Sequence, residues 1–146
     1  MRGLIQRVTH AKVEVGGDVV GAIDQGILLL LGVEKADGQA QLDKLLHRVI
    51  NYRIFSDEAG KMNRSLLDIR GGILVVSQFT LVADTQKGLR PSFSSAAPPA
   101  LADQLYQAFV AKLGEYPELQ VATGQFAADM QVSLCNDGPV TFWLSA

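Results

Sequence analysis

The sequence predicts an α/β fold: a mixed β-sheet, or partly closed barrel, of about seven strands packed by two main helices in a single domain. Strand patterns and short apolar runs recur along most of the chain, whereas apolar residues fall at helical spacing in only two segments. The resulting order, β-β-β-α-β-β-α-β-β, is typical of one sheet covered by helices. Because no linker or repeat interrupts the 146 residues, we expect residues 1–146 to form one domain.

The beginning of the chain predicts three strands. Apolar and charged residues alternate at the end of residues 2–15, as in a half-buried strand. Gly16 and Gly17 supply the positive φ angles of a hairpin turn, and residues 19–23 return. Residues 26–33, GILLLLGV, form an unbroken apolar run, which is typical of a strand covered on both faces.

The first helix is predicted to follow Asp37, whose carboxylate is a suitable N-cap. After it, residues 52–55, YRIF, indicate a short strand, and residues 56–72 are expected to be mostly loop. The stripe of apolar residues that predicts the helix consists of Leu42, Leu45, Leu46, Val49 and Ile50.

The second half of the chain predicts an apolar strand over residues 71–84, a polar loop from Asp84 to Ala97, and a second helix. Pro98 or Pro99 opens this helix, and Gly114 ends it. The last 27 residues return to strand. The second helical stripe consists of Leu101, Leu105, Phe109 and Leu113.

Four residues inside the last strand pattern, Asn136 to Pro139, interrupt it. Asp-Gly between two strands normally indicates a tight hairpin, but the following proline removes a backbone donor where the returning strand would begin to pair. Two interpretations remain open: an ordinary turn with a trans bond, or a cis bond that reverses the chain sharply. In the second case Gly138 leaves its carbonyl and α-carbon open to close approach by another group.

Composition narrows the classes of function. The 13 basic and 15 acidic residues are well mixed, and no basic stripe indicates a protein that wraps nucleic acid, so any such contact should be local. Cys135 is the only cysteine; we expect it to be a buried, reduced thiol. The longest apolar run, Ile27 to Leu31, is too short to span a bilayer, and the N-terminus has no signal-peptide core. We therefore expect a cytoplasmic protein with no membrane partner.

Standard catalytic constellations are missing from the sequence. The two histidines, His10 and His47, are interpreted as surface or structural residues, and no metal-ligand spacing occurs, so neither a metal nor a cofactor is predicted. The block Ser77-Gln78-Phe79-Thr80 ends an apolar strand with two hydroxyl groups and an amide. It is either a polar strand end with Phe79 in the core or a reactive group, and a nucleophile here would need a base that the sequence does not nominate.

Five segments of the chain resemble bacterial D-aminoacyl-tRNA deacylases, and the similarity runs essentially from end to end. Two blocks within them, SQFT and NDGPVT, are diagnostic, and both are intact. The segments are LIQRV (Leu4–Val8), YRIFSDEAGKMN (Tyr52–Asn63), VVSQFTLVAD (Val75–Asp84), RPSF (Arg90–Phe93) and FAADMQVSLCNDGPVTFWL (Phe126–Leu144).

The resemblance implies an editing enzyme that hydrolyses the ester joining a D-amino acid to the terminal adenosine of tRNA. Such an enzyme would also accept glycine carried on tRNA. Its partners would be the acceptor end of tRNA and a second copy of the chain in a homodimer. The resemblance implies that Gly138 and Pro139 form a cis step that projects into the active site of the other subunit. There its main chain would collide with an L side chain, and Arg7 would orient its carbonyls.

The resemblance also implies a catalytic block made of Ser77, Gln78, Phe79 and Thr80. Backbone N–H groups around Gln78 and Phe79 would form an oxyanion hole, and Thr80 would position groups rather than attack the ester. Ser77, Phe79 and Met130 would line the adenosine pocket. Water would be the nucleophile, assisted by the 2′-hydroxyl of the terminal ribose.

Two other functions remain open at the level of sequence. One is a hydrolase for other small acyl esters that uses Ser77 or Thr80 as a conventional nucleophile. The other is a non-catalytic dimeric binding module in which the Gly-Pro loop is a docking element. Lys87 and Arg90, in the long polar loop, are either solvated loop charges or contacts to phosphate groups.

Overall fold

The structure, a computed structural model, describes residues 1–146 and contains eight strands and three α-helices. The strands are β1 (Arg2–Val15), β2 (Asp18–Ile23), β3 (Gly26–Gly32), β4 (Phe55–Ser56), β5 (Met62–Arg64), β6 (Gly72–Ser77), β7 (Gln120–Thr123) and β8 (Gln131–Ser145). The helices are α1 (Gln39–Asn51), α2 (Leu66–Ile69) and α3 (Pro99–Leu113), and a 3₁₀ turn covers Phe79–Val82.

The sheet is mixed and curls almost into a barrel, as predicted. Its order is β2-β1-β3-β6-β7, with β8 also paired to β1. β8 pairs with one edge of β1 along nearly its whole length. β3 pairs with the first part of the other edge of β1, and β2 pairs with its last part. The β3–β6 and β6–β7 pairs are parallel. β2 and β7, at the two ends of this order, approach each other closely: a Cβ atom at Gly21 would lie 2.1 Å from the Thr123 carbonyl oxygen, so only glycine fits there.

Two apolar clusters hold the fold together. The larger contains 23 buried residues and lies between the sheet and the helices α1 and α3; the smaller contains seven and fills the inside of the barrel. All five residues of the predicted α1 stripe are fully or almost fully buried, which confirms the helical spacing. Burial on this scale supplies the main driving force for folding.

The start of α1 differs from the prediction. Gly38, not Asp37, is the N-cap, and its N–H donates to the Gln41 side chain at 2.9 Å. The Asp37 carboxylate instead accepts from the Glu34 N–H at 2.7 Å and from the Met1 amino group at 2.5 Å. A charged amino group is a stronger partner for a carboxylate than a helical N–H, which is why Asp37 turns away from the helix.

The segment predicted as strand and loop between residues 52 and 72 is more ordered than expected. β4 is shorter than the predicted strand and pairs with β5 in a two-stranded ribbon, and α2 follows. α2 has a reciprocal cap: the Asp68 N–H donates to the Ser65 hydroxyl and the Ser65 N–H donates to the Asp68 carboxylate. The Ser-Leu-Leu-Asp spacing in the sequence is the signal for this cap.

The expectation that Cys135 is buried is wrong: this free thiol is exposed. β8 alternates, so Val132 and Leu134 pack on the smaller cluster while Cys135 faces outward. β8 pairs with no strand except β1, and the residues that alternate with Val132 and Leu134 in its first half, namely Gln131, Ser133 and Cys135, are exposed. No helix in the fold is long and apolar enough to cross a membrane.

Candidate functional site

A cavity opens where two neighbouring parallel strands part. β6 and β7 stay paired as far as Val75 and Thr123, after which their chains diverge. The Val75 carbonyl at this point accepts from the Gly124 N–H and from the buried Tyr106 hydroxyl, both at 3.1 Å. Burial raises the pKa of the Tyr106 hydroxyl, so this group stays a neutral donor. The divergence separates the chain after β6 from the chain after β7.

The cavity has a volume of about 630 Å³, which is within the usual range for small-molecule sites. None of its sixteen lining side chains is ionisable. Ser77 and Gln78 are the polar members, and the others are apolar: Leu31, Val33, Val76, Phe79, Phe93, Ala96, Ala97, Pro99, Ala102, Phe126, Ala127, Ala128, Met130 and Val132.

Aromatic rings line the cavity from both sides. Phe79 is 61% exposed, so the interpretation that places it in the core is wrong, and its ring centroid lies 5.1 Å from that of Phe93. On the other side, Phe126 packs against Tyr106 with centroids 5.9 Å apart. Exposed aromatic faces beside an apolar cavity offer stacking surfaces for a planar ligand such as a nucleobase.

Met130 lines the same cavity, and the glycine at position 124 leaves room for it. The Met130 sulfur accepts from the Gln125 N–H at 3.5 Å. A Cβ atom at Gly124 would lie 2.7 Å from this sulfur and would force Met130 to move. Thus Ser77, Phe79 and Met130, which are far apart in sequence, lie around one cavity.

The Ser77–Thr80 block adopts a conformation that the sequence did not indicate. β6 ends at Ser77, short of the predicted strand end, and a 3₁₀ turn begins at Phe79. The Gln78 N–H donates to the Leu31 carbonyl at 2.8 Å and is therefore not free for a substrate. Within the turn, the first N–H group that donates a hydrogen bond is that of Leu81. The N–H groups of Phe79 and Thr80 come before it in the chain and have no hydrogen-bond partner inside the turn.

Thr80 lies outside the lining of the cavity. It is exposed, and its hydroxyl accepts a hydrogen bond from the Gln78 side-chain amide. His10 and His47 are also exposed and do not line the cavity. No side chain that lines the cavity could therefore act as a general base for a hydroxyl nucleophile.

The Asn136–Pro139 interruption is a bulge within β8. Thr141 pairs with Gln6 and Asn136 pairs with Val8, so four residues of β8 lie opposite the single residue Arg7. The Gly138-Pro139 bond is cis, yet both sides of the bulge pair antiparallel with β1. The expected sharp reversal of the chain is therefore wrong, because β1 pairing holds the direction of the strand on both sides.

Side chains fasten the base of this bulge. The Asn136 side chain accepts from the Val140 N–H and donates to the Thr141 hydroxyl, both at 3.0 Å. Arg7 donates through Nε to the Asp137 carbonyl at 3.1 Å and through Nη1 to the Ile54 carbonyl at 2.7 Å. Arg7 thus holds the carbonyl just before the Gly-Pro step, while Gly138 and Pro139 remain exposed.

The bulge and the cavity lie apart within one chain. Arg7, which holds the bulge, lies opposite Ile27 of β3, and Ile27 lies opposite Ile73 of β6. Leu31 and Ser77, which line the cavity, pair with each other four residues further along β3 and β6. Four residues correspond to about 13 Å along a strand, and β3 lies between β1 and β6 in the sheet. No residue of the bulge lines the cavity.

Comparison with known proteins places the chain in a family. The family described as D-Tyr-tRNA(Tyr) deacylase matches residues 4–145. A D-aminoacyl-tRNA deacylase of Stutzerimonas stutzeri (strain A1501) is 65% identical, with all of both chains covered. A D-aminoacyl-tRNA deacylase of Histophilus somni (strain 2336) is 66% identical, with 99% of each chain covered.

Two solved structures resemble the fold. A c-Myc DNA unwinding element binding protein is 40% identical and has a TM-score of 0.93, with 100% of this chain and 99% of that chain covered. A probable eukaryotic D-amino acid tRNA deacylase shares the fold at 16% identity, with a TM-score of 0.84 and 99% and 98% of the two chains covered. From the match over residues 4–145 and the full-length relatives, this chain belongs to the D-Tyr-tRNA(Tyr) deacylase family.

Proposed function

We propose that this protein is a cytoplasmic homodimeric enzyme that hydrolyses D-aminoacyl-tRNA, with the terminal adenosine in the cavity of one subunit and the Gly138-Pro139 bulge supplied by the other. The observation that carries the proposal is the separation of these two parts within one chain. A cavity without ionisable side chains can bind a nucleoside, and a rigid main-chain bulge can discriminate shape. Neither part alone makes a chiral editing site.

The neutral cavity suits an adenosine. Phe79 offers an exposed aromatic face, and stacking of a base on an aromatic ring contributes about 1–3 kcal/mol. Met130 and Phe126 supply apolar contacts on the opposite side, and Ser77 is a polar group at the end of β6. Adenosine bound here brings its ribose ester towards the turn that begins at Phe79.

The chemistry needs no side-chain nucleophile. Water attacks the ester carbonyl with assistance from the 2′-hydroxyl of the ribose, and the tetrahedral oxyanion then expels the 3′-oxygen, which takes a proton. The products are the free amino acid and tRNA. The N–H groups of Phe79 and Thr80 are the free donors for the oxyanion, and each well-aimed donor contributes about 3 kcal/mol. Because its own N–H is engaged by Leu31, Gln78 acts by shaping the start of the turn.

The surface of the sheet supports self-association. β8 has one edge without a partner strand, and such edges are usual sites of pairing or cover by another chain. Leu30, Leu4 and Trp143 lie directly opposite one another on three adjacent strands, and Trp143 is 50% exposed. Facing residues of adjacent strands share one side of the sheet, so these three form an apolar row that a second copy can cover.

Chirality follows from main-chain crowding. An L- and a D-amino acid held by the same amine and ester exchange the positions of hydrogen and side chain. If the Gly138 and Pro139 carbonyls hold the amine and crowd the hydrogen position, an L side chain collides with backbone that cannot rotate away. Glycine has no side chain to reject, so glycyl-tRNA should also be hydrolysed.

The test is matched hydrolysis of D-tyrosyl-tRNA, L-tyrosyl-tRNA and glycyl-tRNA by the same enzyme preparation. We expect turnover of the D-ester and of glycyl-tRNA, and discrimination against the L-ester by at least about 100-fold, equivalent to about 2.7 kcal/mol. Equal rates for the two tyrosyl esters would show that the bulge does not select chirality. Hydrolysis of none of them would favour a binding module.

Thr80→Ala is expected to lower kcat/KM for D-tyrosyl-tRNA by no more than about fivefold, or about 1 kcal/mol. The hydroxyl lies outside the cavity, and the substitution keeps the Thr80 N–H group. A single-turnover assay on the folded dimer measures the effect, with Thr85→Ala as a control for an exposed threonine elsewhere. Loss of activity by more than about 100-fold would make Thr80 a nucleophile, as in a conventional ester hydrolase.

A further inference from the structure

The cavity is neutral, but tRNA is a polyanion and the chain carries a formal net charge of −2. Affinity for RNA depends on cations near its phosphates. The RNA strand that leads to the cavity must therefore pass over whichever rim supplies positive charge. The charges around the cavity are unevenly distributed, and this distribution indicates the side over which the RNA strand leaves the cavity.

One side of the cavity carries more positive than negative charge, because the excursion between Asp84 and Ser92 holds Lys87 and Arg90 against the single carboxylate of Asp84. Asp84 and Ser92 exchange two backbone hydrogen bonds, at 2.8 and 3.1 Å, which close the exposed excursion carrying Lys87 and Arg90. The same loop then contributes Phe93 to the cavity, three residues after Arg90. Lys35 joins it, since its N–H donates to the carbonyl of Ser95 at 3.1 Å.

These three cations are free to bind an anion. Lys35, Lys87 and Arg90 are exposed, and none takes part in a salt bridge within the chain. By contrast, Arg2 is paired with Glu34 at 3.1 Å. We call Lys35, Lys87 and Arg90 the basic rim.

The chain after β7 places a carboxylate beside the cavity. Asp129 is exposed and lies between Ala128 and Met130, which both line the cavity. An RNA strand that crossed this side would place its phosphates near the Asp129 carboxylate, and like charges repel.

We propose that the acceptor strand of tRNA leaves the cavity across the basic rim, with its phosphates on Lys87, Arg90 and Lys35 and away from Asp129. The proposal rests on the proposed function for the identity of the RNA and adds its path over the protein. Lys87 and Arg90 thus act as phosphate contacts rather than as solvated loop charges. Because contacts to phosphates carry no base sequence, this rim serves many different tRNAs.

The test is the salt dependence of tRNA binding. Uncharged tRNA is titrated against wild type and against Lys35→Ala, Lys87→Ala and Arg90→Ala between about 50 and 200 mM salt, a range over which phosphate contacts respond strongly. Each rim variant should make the slope of log K against log salt shallower by about 0.7 to 0.9. Lys44→Ala, which removes one exposed charge from α1, is the matched control and should leave the slope unchanged.

A second substrate separates the rim from the chemistry. A D-tyrosyl ester of adenosine, which has no phosphate strand, should be hydrolysed equally by wild type and by the Lys87→Ala/Arg90→Ala variant. Slopes equal to that of wild type in all three rim variants, or a larger effect of Asp129→Asn, would overturn the proposed path. Failure of wild type to hydrolyse D-tyrosyl-tRNA would count against the proposed function, and the binding slopes would still decide the path.

Discussion

Gly138→Ala is expected to lower kcat/KM for D-tyrosyl-tRNA by at least about 100-fold, or about 2.7 kcal/mol. Gly138 has a φ angle of +133°, which side chains rarely adopt. A Cβ atom there would lie 2.7 Å from a Val140 methyl carbon, 3.1 Å from the Val140 nitrogen and 3.3 Å from Arg7 Nη2. Something at the bulge must shift, so the carbonyls that hold the amine of the substrate lose their orientation.

The control for this variant is the same substitution at another glycine that also has a positive φ angle. Gly60 has a φ angle of +78° in the turn between β4 and β5, and a Cβ atom there would meet nothing within 4 Å. Gly60→Ala should cost stability of about 1 kcal/mol and leave turnover unchanged. Thermal unfolding of both variants separates folding from function. Wild-type turnover by a folded Gly138→Ala dimer would remove the bulge from the mechanism.

Mixing two inactive variants is expected to restore activity. Ala128→Trp fills the cavity with a bulky ring, and Gly138→Ala disables the bulge, so each homodimer should be nearly inactive. In a heterodimer, one site combines an intact cavity with an intact bulge, and the other combines both defects. Random pairing in a symmetric dimer makes about half of the dimers heterodimers, so the mixture should recover about a quarter of wild-type activity.

Co-expression with two different tags allows the heterodimer to be purified and assayed directly. The purified heterodimer should have about half of wild-type activity, because one of its two sites is intact. If the heterodimer forms and is as inactive as its parents, the cavity and the bulge act within the same chain. The complementary experiment co-expresses wild type with a double variant that carries both substitutions on one chain. Each site of this heterodimer then contains one defect, so its activity should stay low.

The periodicity of the sequence was sufficient for the elements that bury one face. The α1 stripe and the apolar strand β3 follow directly from the spacing of their apolar residues, because burial of those residues is what stabilises them. The alternation of β8 likewise places Cys135 on the face opposite to the inward Val132 and Leu134. The prediction of its burial failed because an apolar neighbourhood in sequence does not show which face another element covers.

Contacts between distant segments decided the remainder. The cap of α1 changed because Asp37 meets the Met1 amino group, and β6 ended early because the chain turns after the Gln78 N–H bonds to Leu31. Local patterns contain no information about such partners. A spacing of three residues did signal the cap of α2, since that contact is local.

By itself, the sequence determined that this chain forms a mixed sheet with two main helices and that it carries the SQFT and NDGPVT blocks. Only the tertiary structure decided that the first block borders a cavity made by the parting of β6 and β7, while the second is a bulge held by β1 some distance away. The physical reason is that strand register, set by long-range backbone pairing, fixes which residues become neighbours. A periodic pattern shows which residues share one face of a strand or helix, but it does not show which residues of other elements they contact.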